Sequence, residues 1–117
     1  GEEAARVARE ISGLLFGGAD PATLGVATFA ALRREVPFAE LPAMPPGPGL
    51  DPLDLLVATE LVASRGAAKR LLEQGGVYVN GRRVTAADRF VSAEQLLPGG
   101  HVLLRKGARD YGLVRVR

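Results

Sequence analysis

Residues 64–84, SRGAAKRLLEQGGVYVNGRRV, place a basic helix directly before a tight β-hairpin. With a rotation of about 100° per residue, the polar side chains of the helix fall on one half of its surface, and the alanines and leucines fall on the other. Gly75 and Gly76 end the helix. The polar half carries Arg65, Gly66, Lys69, Arg70, Glu73 and Gln74. The stretch therefore predicts an amphipathic helix that presents its cations to solvent.

The hairpin is predicted by Asn80-Gly81, because this dipeptide fits the two positive-φ positions of a type I′ turn. A two-residue turn sets Val79 opposite Arg82 and Tyr78 opposite Arg83. Tyr78 and Arg83 are therefore expected to share one face of the hairpin as a cross-strand pair.

The regions that flank this stretch add helices and strands. Asp51-Pro52 is an N-cap followed by proline at the first helical position, and it predicts a helix that ends near residue 63. Ser64 then caps the next helix. Downstream, we expect a short strand at 89–91, a helical turn capped by Ser92 with Gln95, a turn at 98–100, and strands at 101–106 and 111–117 joined by the basic loop 107–110.

The first part of the chain reads as helices and a linker. One amphipathic helix ends at Gly17-Gly18, and a second is predicted from Asp20-Pro21 to about residue 34, with Leu24, Phe29 and Leu32 buried. Residues 37–49 contain five prolines and two glycines, which cannot sustain a helix or a central strand. We therefore predict an α+β protein with a helical connector and proline-rich linker over 1–49 and a second domain over 50–117.

The composition sets limits on function. The 117 residues include 47% apolar and 24% charged residues and no cysteine, so the chain can bury a core but cannot form disulfides or thiolate zinc sites. No apolar run approaches the roughly 20 residues of a membrane helix, and the acidic start is unlike a signal peptide. We expect a soluble, cytoplasmic protein. The net charge of +2 is uneven, because most cations follow residue 50.

Catalytic patterns are missing from the sequence. We find no nucleophile elbow, no phosphate-binding glycine loop and no metal-ligand spacing. The single histidine, His101, has no acidic partner placed by sequence and is expected on the surface of a strand. We therefore predict neither a catalytic residue nor a metal site.

A polyanionic partner is predicted by the basic residues between 64 and 109. Like charges on a folded surface repel, and phosphate groups offset that cost. A short helix pair with a hairpin offers no long recognition helix for a DNA major groove, so a structured RNA is favoured. Tyr78 could stack on a base or could have a cross-strand role. The basic side chains are Arg65, Lys69, Arg70, Arg82, Arg83, Arg105, Lys106 and Arg109.

The segment 64–84 resembles the helix–turn–hairpin of the RNA-binding domain first described in ribosomal protein S-four, also called the alpha-L motif. The run from Gln74 to Gly81 carries that likeness. The start GEEAARVAREISGLLFGG and the tail LLRKGARDYGLVRV further resemble the C-terminal region of bacterial-type tyrosyl-tRNA synthetases. The resemblance spans almost the whole chain, and the proline-rich linker matches least.

This resemblance implies that the chain is the C-terminal piece of a longer enzyme and binds tRNA(Tyr) near its long variable arm and anticodon stem. Ser64, Arg65, Lys69 and Arg70 would meet phosphates, with Gly66 allowing close approach. Gln74, Gly75 and Asn80 would set the turn or contact sugars. Arg105 and Lys106 would extend the groove, although Ala108 stands where such tails often have a second lysine. Their positive charge, apart from the resemblance, makes Arg82, Arg83 and Arg109 further candidate RNA-binding residues.

The resemblance also implies what lies outside this chain. The adenylate-forming motifs of such enzymes do not occur here, so no cofactor is expected in this piece, and ATP and magnesium would serve the catalytic domain of the same protein. The parent enzyme would be a homodimer. Two alternatives stay open: an S-four-like module of a pseudouridine synthase or ribosome-associated factor, and a protein-interaction domain with an acidic partner.

Overall fold

A computed structural model describes all 117 residues and contains one five-stranded sheet with the strand order β1-β5-β4-β2-β3. The strands β2 to β5 pair antiparallel, whereas β1 runs parallel to β5 at the sheet edge. The helices are α1 (Glu2–Gly17), α2 (Val26–Leu32), α3 (Pro52–Ala58) and α4 (Arg65–Glu73). The strands are β1 (Phe38–Leu41), β2 (Val77–Val79), β3 (Arg82–Arg83), β4 (His101–Lys106) and β5 (Asp110–Val116).

The sheet separates two helical layers. Because side chains alternate along a strand, Val102 and Leu104 of β4 pack with α3 and α4, whereas Leu103 packs with α1 and α2. The cluster under α3 and α4 contains 14 buried residues, and the cluster under α1 and α2 contains 7. The smaller cluster consists of Leu14, Leu24, Phe29, Leu32, Leu97, Leu103 and Leu113.

The α+β class and the order of helix pair, hairpin and further strands are confirmed. Asp51 caps α3 through the Leu53 N–H, at 3.1 Å, and Ser64 caps α4 through the Ala67 N–H, also at 3.1 Å. Gly18 closes α1 with φ +70°. Leu24, Phe29 and Leu32 are buried as expected.

The second helix differs from the prediction. Asp20 does accept a hydrogen bond from the Ala22 N–H, but it caps a separate 3₁₀ turn, Pro21–Thr23. Leu24 is extended, and α2 begins only after Gly25. Glycine has poor helix propensity, so the chain breaks where one continuous helix was expected.

The third helix is shorter than predicted. It ends at Ala58 and not near residue 63, because Glu60 takes a positive φ of 63°. The Thr59 hydroxyl donates to the Leu55 carbonyl at 2.9 Å and closes the last turn. Leu61 packs against the core from the irregular segment that follows.

The proline-rich segment contains a strand that the sequence did not reveal. β1 pairs with β5 from Phe38 opposite Leu113 to Leu41 opposite Val116. Prolines flank this strand. An edge strand tolerates them, because it has a neighbour on one side only and the missing proline N–H groups leave no second strand without a donor. The sheet therefore extends across residue 49, and the proposed division into 1–49 and 50–117 stays a prediction. The strand expected at 89–91 is wrong, since only Val91 forms a bridge, with Leu50.

Candidate nucleic-acid interface

The exposed face of α4 has the predicted composition. Ala68 and Leu72 are buried beneath it, while Lys69 and Arg70 project to solvent. Neither cation forms an ion pair, although Glu73 shares the face. We call this face, with Ser64, Gly66 and Gln74 at its ends, the α4 surface.

Arg65 is held differently from its neighbours on α4. Its guanidinium pairs with Asp54 and with Asp51, at 2.8 Å from the Asp51 Oδ2. These hydrogen bonds and negative charges raise the pKa of Arg65. Its side chain is still 53% exposed, so it stays open to solvent. The expectation of a freely projecting cation at this position is wrong, because two acids at the start of α3 lie within its reach.

Asp51 is the centre of this ion-pair network. It lies 2.9 Å from the Arg89 Nε and also accepts from Arg65 and the Leu53 N–H. Burial opposes its ionisation, but the hydrogen bonds from Arg89, Leu53 and Arg65 outweigh burial and lower the pKa of Asp51. Arg89 thereby joins Arg65 and Lys69 around a shallow groove. No local pattern pointed to this role of Arg89, because 38 positions separate it from Asp51.

The hairpin forms with the predicted register and turn. Tyr78 pairs with Arg83, and Asn80 and Gly81 have φ of 51° and 87°. The Asn80 side chain donates to the Gln95 carbonyl at 2.8 Å and accepts from the Leu103 N–H at 2.9 Å. Both ends of this amide are occupied within the fold. Asn80 therefore sets the turn geometry, which is one of the two roles considered for it.

Tyr78 lies between two arginines on the side of the sheet that faces α1 and α2. Arg83 on β3 donates to its hydroxyl at 3.2 Å, and the Arg105 guanidinium lies 3.8 Å from its ring centroid. The hydrogen bond and charge of Arg83, with smaller contributions from Arg105, lower the pKa of Tyr78. We call Tyr78, Arg83 and Arg105 the Tyr78 surface.

The remaining predicted residues lie around the hairpin and the turn between β4 and β5. Arg82 is exposed on β3. The Lys106 Nζ donates to the Leu61 carbonyl at 3.0 Å, which fixes this side chain against the end of the α3 segment. Arg109 is exposed in the turn, and the Gly107 N–H ties that turn to the Gly76 carbonyl at 2.8 Å.

The expected single basic surface is therefore divided. The α4 surface and the Tyr78 surface belong to opposite sides of the sheet, since Val77 and Val79 pack with α4 and Tyr78 between them points the other way. The two meet at the link between α4 and β2. There the Arg83 Cζ lies 3.7 Å from the position a Cβ would take at Gly75.

His101 is buried, so its expected place on a strand surface is wrong. It is 3% exposed, stacks on Phe29 with ring centroids 5.1 Å apart, and donates from Nδ1 to the Pro98 carbonyl at 2.8 Å. Burial lowers the pKa of His101, and the nearby Arg115 and Arg33 lower it further, against the opposing effect of the Pro98 carbonyl. An aromatic contact with α2, unseen in the sequence, accounts for this position.

Neither a metal centre nor a membrane helix is found. The structure places no three His, Cys, Asp or Glu side chains where they could hold a metal ion. None of the helices has the length and hydropathy that crossing a bilayer requires.

Comparison with known proteins identifies relatives over the whole chain. A family profile described as "Tyrosine--tRNA ligase SYY-like C-terminal domain" matches residues 29–114. The tyrosine–tRNA ligases of Corynebacterium efficiens and Mycobacterium sp. (strain JLS) are 39% and 43% identical over 117 and 118 residues, covering 100% of this chain. The chain spans 27% of the length of each of these relatives.

A solved structure of a domain from the same family has a similar fold. The solution structure of a tyrosyl-tRNA synthetase C-terminal domain is similar to this chain with a TM-score of 0.62 and 27% identity. The match covers 85% of this chain and 96% of the solved domain.

Proposed function

Because this chain belongs to the family of tyrosine–tRNA ligase C-terminal domains, we propose that it is the tRNA-binding domain of such a ligase. It binds tRNA(Tyr), at the long variable arm and the anticodon-stem region, and holds it while the catalytic domain of the same protein attaches tyrosine. The proposal extends to Ser64, Arg65, Gly66, Lys69, Arg70, Gln74, Arg82, Arg83, Arg105, Lys106 and Arg109 as the RNA-binding residues, and Asn80 sets the hairpin turn that positions Arg82 and Arg83.

The observation that carries the proposal is that four basic residues, two on each surface, have no carboxylate partner. Lys69, Arg70, Arg83 and Arg105 form no ion pair, although the fold pairs Arg65 and Arg89 with acids nearby. Phosphates are the ligands that such a distribution of charge binds best, through charge-assisted hydrogen bonds and counterion release. The N-terminus of α4 adds a favourable dipole for a phosphate.

The wider setting of the domain follows from the same proposal. Tyrosine activation takes place in the catalytic domain, which uses ATP and magnesium, and the parent enzyme is a cytoplasmic homodimer. An S-four-like module of another RNA enzyme and a protein-interaction domain receive no support from the relatives, whose names are those of tyrosine–tRNA ligases.

The proposal is tested by titrating the 117-residue chain with three nucleic acids at several salt concentrations. They are tRNA(Tyr), a tRNA with a short variable arm, and duplex DNA. Binding of each is measured by fluorescence anisotropy. We expect the tightest binding to tRNA(Tyr) and a steep loss of affinity with salt. Equal affinity for all three would overturn the assignment to tRNA(Tyr).

The α4 surface is tested by Lys69→Glu, with Arg9→Glu on α1 as a matched charge reversal at another exposed, unpaired cation. Loss of one phosphate contact reduces the salt slope by about 1, and we expect this only for Lys69→Glu. Arg65→Glu is a poor test, because it would place a third acid beside Asp51 and Asp54 and destabilise the fold. An equal loss of binding in both charge reversals would show a nonspecific charge effect.

A further inference from the structure

The Tyr78 surface contains a side-chain arrangement that connects three strands. Tyr78 on β2 stands opposite Arg83 of β3 and opposite Arg105 of β4. The two guanidinium carbons lie 5.7 and 3.8 Å from the Tyr78 ring centroid. The Tyr78 hydroxyl also accepts a hydrogen bond from the Arg83 Nη2 at 3.2 Å. One aromatic side chain thus contacts a cation on each neighbouring strand.

These two arginines are held differently from the four arginines that share Asp51 and Glu40. Asp51 binds Arg65 and Arg89, and Glu40 binds Arg115 and Arg117, so a carboxylate offsets part of the positive charge of each of those pairs. Arg83 and Arg105 have no carboxylate within ion-pair distance. A ring face and a phenolic oxygen orient a guanidinium while leaving its positive charge intact. Tyr78 therefore orders two cations without neutralising them.

A second observation shows an unused donor in the same place. The Arg105 Nε is the one buried side-chain polar atom of the structure with no hydrogen-bond partner. A buried donor without an acceptor is unfavourable, and the like charges of Arg83 and Arg105 add to that cost. An anionic ligand would relieve the repulsion between the arginines, and a small shift of the Arg105 side chain would let Nε donate to it.

We propose that Tyr78 is a positioning residue for RNA binding, which fixes Arg83 and Arg105 as a charged pair for backbone phosphates on the sheet face opposite α4. This inference rests on the proposed function, and it adds a residue outside the predicted binding set. Ordering two long side chains before the RNA arrives removes part of the entropy cost of binding.

The inference is tested by a double-mutant cycle that joins Tyr78→Phe with Arg83→Gln, measured as affinity for tRNA(Tyr). Tyr78→Phe keeps the ring under Arg105 and removes only the acceptor of Arg83. We expect each single variant to bind about three- to tenfold more weakly, and the double variant to bind no more than about twofold more weakly than Arg83→Gln alone. Fully multiplicative losses would overturn the role of Tyr78.

A matched cycle on the other surface supplies the control. Tyr78→Phe combined with Lys69→Gln should give multiplied losses, because Lys69 lies on the α4 surface and shares no partner with Tyr78. Coupling of equal size in both cycles would indicate a general structural effect and overturn the inference. So would an unchanged affinity of Tyr78→Phe, in a chain whose unmodified form binds tRNA(Tyr) selectively.

Failure of the inference and failure of the proposed function give different results. If the unmodified chain does not prefer tRNA(Tyr), the proposed function fails and this inference fails with it. NMR relaxation of the arginine Nε–Hε groups gives a direct measurement that needs no RNA. In Tyr78→Phe, the Arg83 side chain should become more mobile, whereas the mobility of the Arg105 side chain should change little. An Arg83 signal that keeps its order in the variant would contradict the positioning role even if the affinity falls.

Discussion

The two helical layers cover opposite faces of one sheet, but they are attached to it differently. The α3–α4 layer shares 14 buried residues with the sheet, and the Asp51 network also ties both helices to the segment that carries Arg89. The α1–α2 layer shares 7 buried residues, and Leu14 is the only buried residue of the 16-residue helix α1. The apolar area that holds the second layer is therefore smaller.

This difference indicates that local stability is uneven across the molecule. Regions with few buried apolar contacts open at a lower free energy than the core of the same domain. We expect the α1–α2 layer to open first, while the sheet and the α3–α4 layer stay folded. The α4 surface belongs to the more stable layer, whereas the Tyr78 surface faces the side that opens more easily.

The largest expected effect comes from Phe29→Ala. Phe29 is fully buried and stacks on His101, so its removal takes the central contact between α2 and the sheet. We expect a loss of about 3–5 kcal/mol in the stability of the α1–α2 layer. Hydrogen exchange should show lost protection in α1 and α2, with protection retained in α3, α4 and β4. A uniform loss across all elements would contradict the unequal attachment of the two layers.

Leu72→Ala makes the corresponding large-to-small change in the larger core. Leu72 is 5% exposed and lies with Ala68 on the inner face of α4. We expect the global free energy of unfolding to fall by about 2–5 kcal/mol, and urea denaturation followed by circular dichroism measures it. Protection should fall throughout the sheet, because the 14-residue cluster is the main core. Loss confined to α4 would show that this cluster does not hold the sheet together.

The sequence predicted the more firmly attached layer better than the other. Its helices, caps and hairpin are encoded by residues close together in the chain, such as Ser64 with Ala67 and Tyr78 with Arg83 across a two-residue turn. β1 could not be predicted in the same way. Its pairing with β5 joins Phe38 to Leu113, and its flanking prolines are typical of a linker.

The sequence predicted which side chains lie on the exposed face of α4, but it did not predict the contacts that these side chains make across the fold. A helical wheel places Lys69 and Arg70 on one face from the sequence alone, and the structure agrees. It carries no information on contacts across the fold, so the Asp51 partner of Arg65 and the role of Arg89 were missed. The same limit hid the burial of His101, whose neighbour Phe29 lies 72 positions earlier in the chain.

A smaller effect is expected from Asp51→Asn. Asparagine keeps the cap on the Leu53 N–H but removes the negative charge that pairs with Arg65 and Arg89. We expect a loss of about 1–3 kcal/mol at pH 7, measured by urea denaturation. The pKa of Asp51 is lowered in the fold from 3.8, so its contribution is present above pH 3.8 and is lost as the pH falls through the folded value.

Asp54→Asn is the control for Asp51→Asn. Its side chain is 66% exposed, so its pair with Arg65 is a surface pair and should contribute less than about 1 kcal/mol. An equal loss in both variants would show that burial of Asp51 gives its network no advantage. So would a difference between Asp51→Asn and the unmodified chain that persists well below pH 3.8.

The smallest expected effect is a pH dependence that belongs to the α1–α2 layer alone. Burial against Phe29 lowers the pKa of His101 from 6.5, so below pH 6.5 the unfolded chain binds a proton that the folded chain does not. Stability should therefore be complete above pH 6.5 and fall as the pH drops through the folded pKa. Hydrogen exchange of α2, measured from above pH 6.5 to below the folded pKa, reports this change in stability. Because His101 is the only histidine in the chain, no other imidazole contributes. In His101→Asn, whose amide can still donate to the Pro98 carbonyl, the dependence should disappear. If the pH dependence persists in His101→Asn, the titration of another group must cause the loss of stability of the α1–α2 layer.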